Sequence, residues 1–179
     1  MIFTETNLKG AYIIELSLRK DDRGFFARTF CANEFKEKGL KYNMVQSNLS
    51  KSIHKNTIRG MHFQIDEAKE AKLIRCIRGS ITDIIIDIRP ESSTYCQHIK
   101  VELTEDNYKM IYVPEGFAHG YVTNEDNSEI FYQVSNFYMP GSERGIRWND
   151  KLFNIDWNVS NPIISEKDNS HPDFLKNNL

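Results

Sequence analysis

The feature that most constrains this chain is a two-residue rhythm of apolar side chains. In QHIKVELTE, Ile99, Val101 and Leu103 alternate with Lys100, Glu102 and Thr104. An extended chain with that pattern buries one face and wets the other. In SITDIIIDIRP both faces are largely apolar, with Asp83 and Asp87 on the face of Ile81 and Ile85. In KLIRCIRGS, Lys72 shares a face with Ile74 and Cys76, and Leu73, Arg75 and Ile77 share the other. EIFYQVSNFY is expected to put Tyr132, Val134, Asn136 and Tyr138 on one side. Turn-forming clusters (RGS, RPESST, TEDN, VPEG, NEDNSE, MPGSERG) separate these runs. Many short strands at near-regular spacing predict an all-β sandwich or barrel.

Helix signals are sparse. ANEFKEKGL predicts one short helix with Asn33 as N-cap and Gly39 as its stop. From about Trp157 the alternation is lost, and the tail is expected to wrap the surface or pack on the body. No internal repeat, linker or boundary interrupts the 179 residues, which predicts a single domain over 1–179.

A formal net charge of -2 argues against a general nucleic-acid binder or a binder of anionic membranes. No run approaches the roughly 18 apolar residues of a membrane span, and MIFTETNLKG lacks a signal-peptide core. Cys31, Cys76 and Cys96 are odd in number and not paired as CxxC, which predicts a reducing compartment, the cytoplasm.

Several residues are candidates for chemistry. His54, His62, His98, His119 and His171 contain no HxH, HxxH or HExxH pair, so a metal would need ligands gathered from distant strands. No GxGxxG or GxxxxGK[ST] loop is present. Arginine does recur beside glycine, in DDRGFF, IRGMH, IRGS and SERGIRW. Its fork suits phosphate oxygens, although such pairs also mark plain surface turns. If Ile74 and Cys76 face the interior, so does Lys72. It then either pairs with a carboxylate such as Asp83 or sits at the mouth and reaches water. Within RGMHFQ, His62 reads equally as a core histidine, a ligand or a base.

Taken together, nine stretches in order along the chain resemble the dTDP-4-dehydrorhamnose 3,5-epimerase family: DDRGFF, VQSNLSKS, IRGMHFQ, AKLIRCIRGSITDIIIDIR, VELTEDN, YVPEGFAHGY, FYQVSNFYMP, ERGIRWND and IDW…ISEKD. The resemblance implies a cupin-type jelly roll with a few short helices, acting on a nucleotide-linked 4-keto-6-deoxy sugar. It implies His62 as general base, Asp168 as its orienting carboxylate and Tyr132 as the acid on the opposite face of the sugar. Lys72, with Asp83 nearby, would stabilise the enolate oxygen. Arg23 and Arg59 resemble pyrophosphate ligands, and Phe26 and Arg28 further substrate contacts. Gln46, Asn48 and His119 match the sugar and phosphate pocket, Tyr138 the base-stacking position, and Glu143 and Lys167 other pocket positions. No metal or other cofactor is implied. The family forms dimers by strand exchange, which implies a homodimer.

The chain departs from the family in places. Arg28 stands where several members carry an acid that contacts the thymine edge, which leaves the base open between thymine, cytosine and another. Ala71, Gln133 and Ser47 replace a frequent glycine, lysine and aspartate. Whether C3, C5 or both are inverted also stays open, as does a non-catalytic sugar-nucleotide binder.

Overall fold

The alternating stretches form strands in the computed structural model, which describes residues 1–176. In chain order the elements are β1 (Ile2–Glu5), β2 (Tyr12–Glu15), β3 (Arg19–Asp21), β4 (Gly24–Phe26), α1 (Ala32–Glu37), β5 (Gln46–Ser52) and β6 (Ile58–Gln64). There follow β7 (Lys72–Arg78), β8 (Ser80–Asp87), β9 (His98–Thr104), β10 (Met110–Val113), β11 (Phe117–Thr123), β12 (Ser128–Val134), β13 (Glu143–Gly145) and α2 (Glu166–Asn169). One sheet runs β1-β2-β10-β7-β12-β5, a second β13-β6-β11-β8-β9, and β3-β4 is a separate hairpin.

The two large sheets face each other, and the interior is drawn from both. Ile74 and Cys76 of β7, Ile111 of β10 and Ile130 of β12 meet Ile81 and Ile85 of β8, Leu103 of β9 and Tyr121 of β11. This is the all-β sandwich that the alternation predicts, in the jelly-roll form that the resemblance implies: alternate residues of the facing strands enter one shared core. Its two-sided apolar pattern is explained for β8, whose Ile84 and Ile86 leave the sandwich on the far side. There the chain beyond β13 covers them, through Ile146, Phe153 and Trp157. The indole of Trp157 donates to the Trp148 carbonyl at 2.8 Å, so burial leaves its N–H satisfied.

The expected short helix forms, but its start differs. Cys31, not Asn33, is the N-cap, and no side chain bonds the first turn. What fixes α1 is its one buried residue, Phe35, packed against Ile14, Leu73, Met110 and Tyr112 on the outside of the six-stranded sheet. Tertiary burial outweighs a missing cap, a term of about 1 kcal/mol. Gly39 does stop the helix, at φ +71°.

A second difference lies after β12. The strand ends at Val134, so Asn136 and Tyr138 do not continue its inner face. Instead the segment after it is a strap pinned by side chains. The Tyr138 amide donates to Gln46 Oε1 at 2.8 Å and the Met139 amide to Gln64 Oε1 at 3.0 Å. Asn136 Nδ2 donates to the Glu67 carbonyl at 2.7 Å. Among the described residues no helix is long and apolar enough to cross a membrane.

Candidate active site

One end of the sandwich interior is open. A cavity of about 240 Å³ is lined by Gln46, Asn48, His62, Gln64, Glu70, Lys72, Tyr132, Tyr138 and Glu143, among others. A second, of about 180 Å³, shares His62, Lys72 and Tyr132 with it and adds Ser50, Arg59, His119 and Tyr121. The strand register builds the wall in rows. Gln46, Val134 and Lys72 are cross-strand partners, and two residues further on Asn48, Tyr132 and Ile74 are. Inward-pointing positions of β5, β12 and β7 therefore supply an amide, a phenol and an ammonium side by side.

On β6, alternation alone would put Arg59 and His62 on opposite faces, because they are three residues apart. Both nevertheless line the second cavity. The pairing of β6 with β11 shifts register between His119 and Tyr121. At that point Gly60 and Gly120 approach so closely that a Cβ on Gly60 would lie 2.6 Å from the Gly120 Cα. The irregularity resets the phase, so Ile58 and Met61 share the covered outer face and Arg59 and His62 the inner one.

His62 Nε2 lies 2.7 Å from Asp168 Oδ1, across 106 residues of sequence. The other Asp168 oxygen accepts the Gly60 N–H at 3.1 Å. Burial by itself pushes the Asp168 carboxyl up, but the His62 bond and charge and the Gly60 amide outweigh it and hold the group below its ordinary value. A carboxylate so held fixes the imidazole and stabilises the imidazolium formed when the ring takes a proton. Tyr132 is pushed above the usual phenol value, first by burial and then by the Glu70 charge, so it stays a proton donor.

Lys72 points inward as expected, but its ion-pair partner is Glu70 at 2.7 Å rather than Asp83. Asp83 instead takes His119 Nε2 at 2.8 Å, is wholly buried, and leaves its second oxygen without a hydrogen bond among the described residues. Burial raises the Asp83 pKa against the opposing pull of His119 and, at longer range, Lys72. Glu143 lines the cavity and pairs with Lys167 at 2.7 Å. Arg59 is anchored through Ser52 Oγ and the Lys51 carbonyl, both at 3.1 Å.

Three expected site residues stand apart. Arg23 lies in the β3–β4 turn, 89% exposed and bonded to Asp21. Phe26 is 67% exposed. Arg28 lies 3.8 Å from Glu34, in a separate hollow with Phe26 and Met1. None of the three lines either cavity of its own chain. Sequence reading missed Gln64, Glu70, Ser50 and His171. Glu70 was readable, since it stands two residues before Lys72 and so shares its face. His171 was not, because the tail has no periodicity to orient it.

The arrangement can remove a proton from an acidic carbon, hold negative charge near Lys72 and return a proton from Tyr132. Residues 5–176 match the family model for dTDP-4-dehydrorhamnose 3,5-epimerase. The enzyme of that name from Shigella flexneri is 40% identical over 172 residues, covering 96% of this chain and 94% of the relative. The crystal structure of the Elizabethkingia anophelis enzyme superposes with a TM-score of 0.96 at 37% identity, covering 100% of this chain and 99% of that one. A Legionella pneumophila 3,5-epimerase solved with dTDP-4-keto-L-rhamnose has a TM-score of 0.90 at 32% identity, covering 96% and 92%. With a family model spanning nearly its whole length and relatives that share both sheets, this chain belongs to the dTDP-4-dehydrorhamnose 3,5-epimerase family.

Proposed function

We propose that the chain inverts C3 and C5 of a dTDP-linked 4-keto-6-deoxyhexose by proton transfer next to the C4 ketone. The observation that carries this reading is His62, bonded to Asp168, in one cavity wall with Lys72 and Tyr132. His62 takes the proton from the carbon, Asp168 orients the ring, and the electron pair moves onto the C4 oxygen. Lys72, kept in place by Glu70, donates to that oxygen, a contribution of about 3–4 kcal/mol for one preorganised donor. Tyr132 returns a proton from the opposite side, which inverts the centre. Each step moves a proton and leaves the oxidation state of the sugar unchanged, so the scheme calls for no redox cofactor. Support for the dTDP handle comes from the relatives, including the Legionella complex.

The same reading makes the protein a homodimer. Arg23 and Phe26 have the residue types of a phosphate and base site, yet project from an exposed hairpin. They can serve a cavity only if it belongs to a second copy. The outer face of the six-stranded sheet supports this. Leu49 and Ile77 are exposed there, beside an Arg75 whose Nε is buried without a hydrogen bond among the described residues. Three free cysteines fit a reducing, cytoplasmic setting.

The test is incubation with dTDP- and CDP-4-keto-6-deoxyglucose in D₂O, read by NMR. Deuterium at both C3 and C5 of the dTDP sugar is expected. Exchange at one carbon makes the enzyme a mono-epimerase, preference for CDP changes the base, and no exchange leaves a binding protein.

A further inference from the structure

The pairing of β13 with β6 sets Gly145 opposite His62, and the missing side chain makes room for a second imidazole. A Cβ on Gly145 would lie 2.2 Å from Nε2 of His171, so that ring fills the space the glycine leaves. The His171 side chain is 13% exposed, and its Nε2 is buried with no hydrogen-bond partner among the described residues. Yet that nitrogen faces Asp168 Oδ1 at 3.6 Å, the oxygen that His62 Nε2 holds at 2.7 Å. The two rings meet edge to face, 5.8 Å apart. A buried ring nitrogen aimed at a carboxylate without bonding it is a polar group awaiting a partner.

Donor atoms of His62, Asp168 and His171 all lie within 4.8 Å of one another. Two imidazoles and a carboxylate are the donor set of a tetrahedral zinc site with one position open. Bonds of about 2.0–2.2 Å place the donors of such a site roughly 3.3 Å apart. The His171–Asp168 separation of 3.6 Å needs to close by a few tenths of an ångström and His62–Asp168, at 2.7 Å, to open by about half an ångström, while the two imidazole nitrogens, within 4.8 Å of each other, close by up to about 1.5 Å. Asp168 is held by the Gly60 amide, so the imidazoles make the adjustment. The other charges facing His171 are Lys167 and Glu143, which pair with each other at 2.7 Å and leave the Asp168 charge to attract the cation.

The geometry points to a divalent-cation site, for zinc by its donor chemistry, formed by His62, Asp168 and His171, whose loading takes His62 out of proton transfer. The ion is an inhibitor, not a cofactor: bound at the Nε2 that faces Asp168, it leaves the ring's remaining proton on Nδ1 and so leaves no lone pair there to accept the substrate proton. The inhibition rests on the proposed role of His62; the binding does not.

Zinc chloride titrated into the full-length protein against a chromophoric chelator tests the site, with deuterium exchange followed in parallel. One zinc per chain is expected, with loss of exchange as the site fills. His171→Asn is expected to weaken zinc at least about tenfold. Gly145→Ala, which pushes a methyl into the ring, is expected to weaken it too, and thermal melts of both variants report folding independently. The cysteines are unchanged in both, so zinc held there is not lost. A wild-type protein that binds no zinc, or variants that bind it as tightly as wild type, overturns the site. If zinc binds through His171 and exchange continues at the zinc-free rate, the site stands and His62 is not the base.

Discussion

His62 and Tyr132 divide the proposed chemistry, and substitution separates their parts. A base that removes the proton is required for any exchange, and general-base help is typically worth ~10²–10⁴-fold. His62→Ala is therefore expected to abolish deuterium incorporation at both carbons. Exchange at the wild-type rate in that variant would remove His62 from the mechanism. Tyr132 acts after the proton has left, so Tyr132→Phe is expected to keep exchange better than net inversion, because the base can return a proton to the face it came from. Equal loss of exchange and inversion, read by NMR in one time course, contradicts the opposite-face role. The roles of these two residues came from the resemblance alone: read locally, His62 stayed open between core histidine, ligand and base, and alternation gave Tyr132 only the neighbours on its face. The partner of His62 was not legible locally either: Asp168 is 106 residues from His62, and no local pattern connects a strand to an aperiodic tail.

At the scale of elements, alternation made β7, β8, β9 and β12 legible because a two-residue period fixes which face each side chain takes. It failed where the backbone breaks phase. The Gly60–Gly120 approach brings Arg59 round to the face of His62, and no count of residues predicts that. It failed again beyond Val134, where Gln46 and Gln64 hold the strap by its amides. The loop into β7 carries its own prediction. Glu70 holds Lys72 at 2.7 Å and accepts Gln64 Nε2 at 3.1 Å, so one carboxylate ties the ammonium to the glutamine that pins the strap. Glu70→Ala leaves the Lys72 ammonium unmatched, while Gln64 Nε2 keeps the Ala68 carbonyl at 3.0 Å, and it is expected to cost about 1.5–3 kcal/mol in urea melts, with kcat reduced more than KM is raised. Glu70→Gln keeps the shape and one acceptor, and should recover most of the stability. Equal stability of all three proteins would show that the pair only decorates the wall. The pairing of β7 and β10 also sets an alkaline limit. Burial pushes the Cys76 thiol up to about 11 and the Tyr112 phenol up to about 12. Both groups ionise more readily in the unfolded chain, so stability is full below about pH 9 and falls as pH rises toward 12. The slope is about 1.4 kcal/mol per pH unit for each group while it titrates. Denaturant midpoints between pH 8 and 11 should fall, and Tyr112→Phe should flatten the upper part; a flat wild-type profile refutes the assignment.

For the whole molecule the open question is which chain completes which cavity. Within one chain the sandwich brings together the base, the acid, the ammonium and Arg59, but leaves Arg23 and Phe26 on a hairpin exposed to solvent. A site finished by a partner's hairpin makes activity a property of the pair, and mixed dimers expose it. His62→Ala and Arg23→Ala chains are each expected to be weak alone, the first in the base and the second in phosphate binding. Unfolded together in equal amounts and refolded, half their dimers pair one of each. In such a hybrid, one cavity carries both defects. The other combines the intact His62 of the Arg23→Ala chain with the intact Arg23 of the His62→Ala chain. Roughly a quarter of all cavities are then whole, and the mixture should recover about that share of wild-type activity. A hairpin serving its own chain predicts no recovery, since every cavity then keeps one defect. Light scattering on the same sample must show a dimer; a monomer at micromolar concentration removes the partner and with it the role given to Arg23 and Phe26.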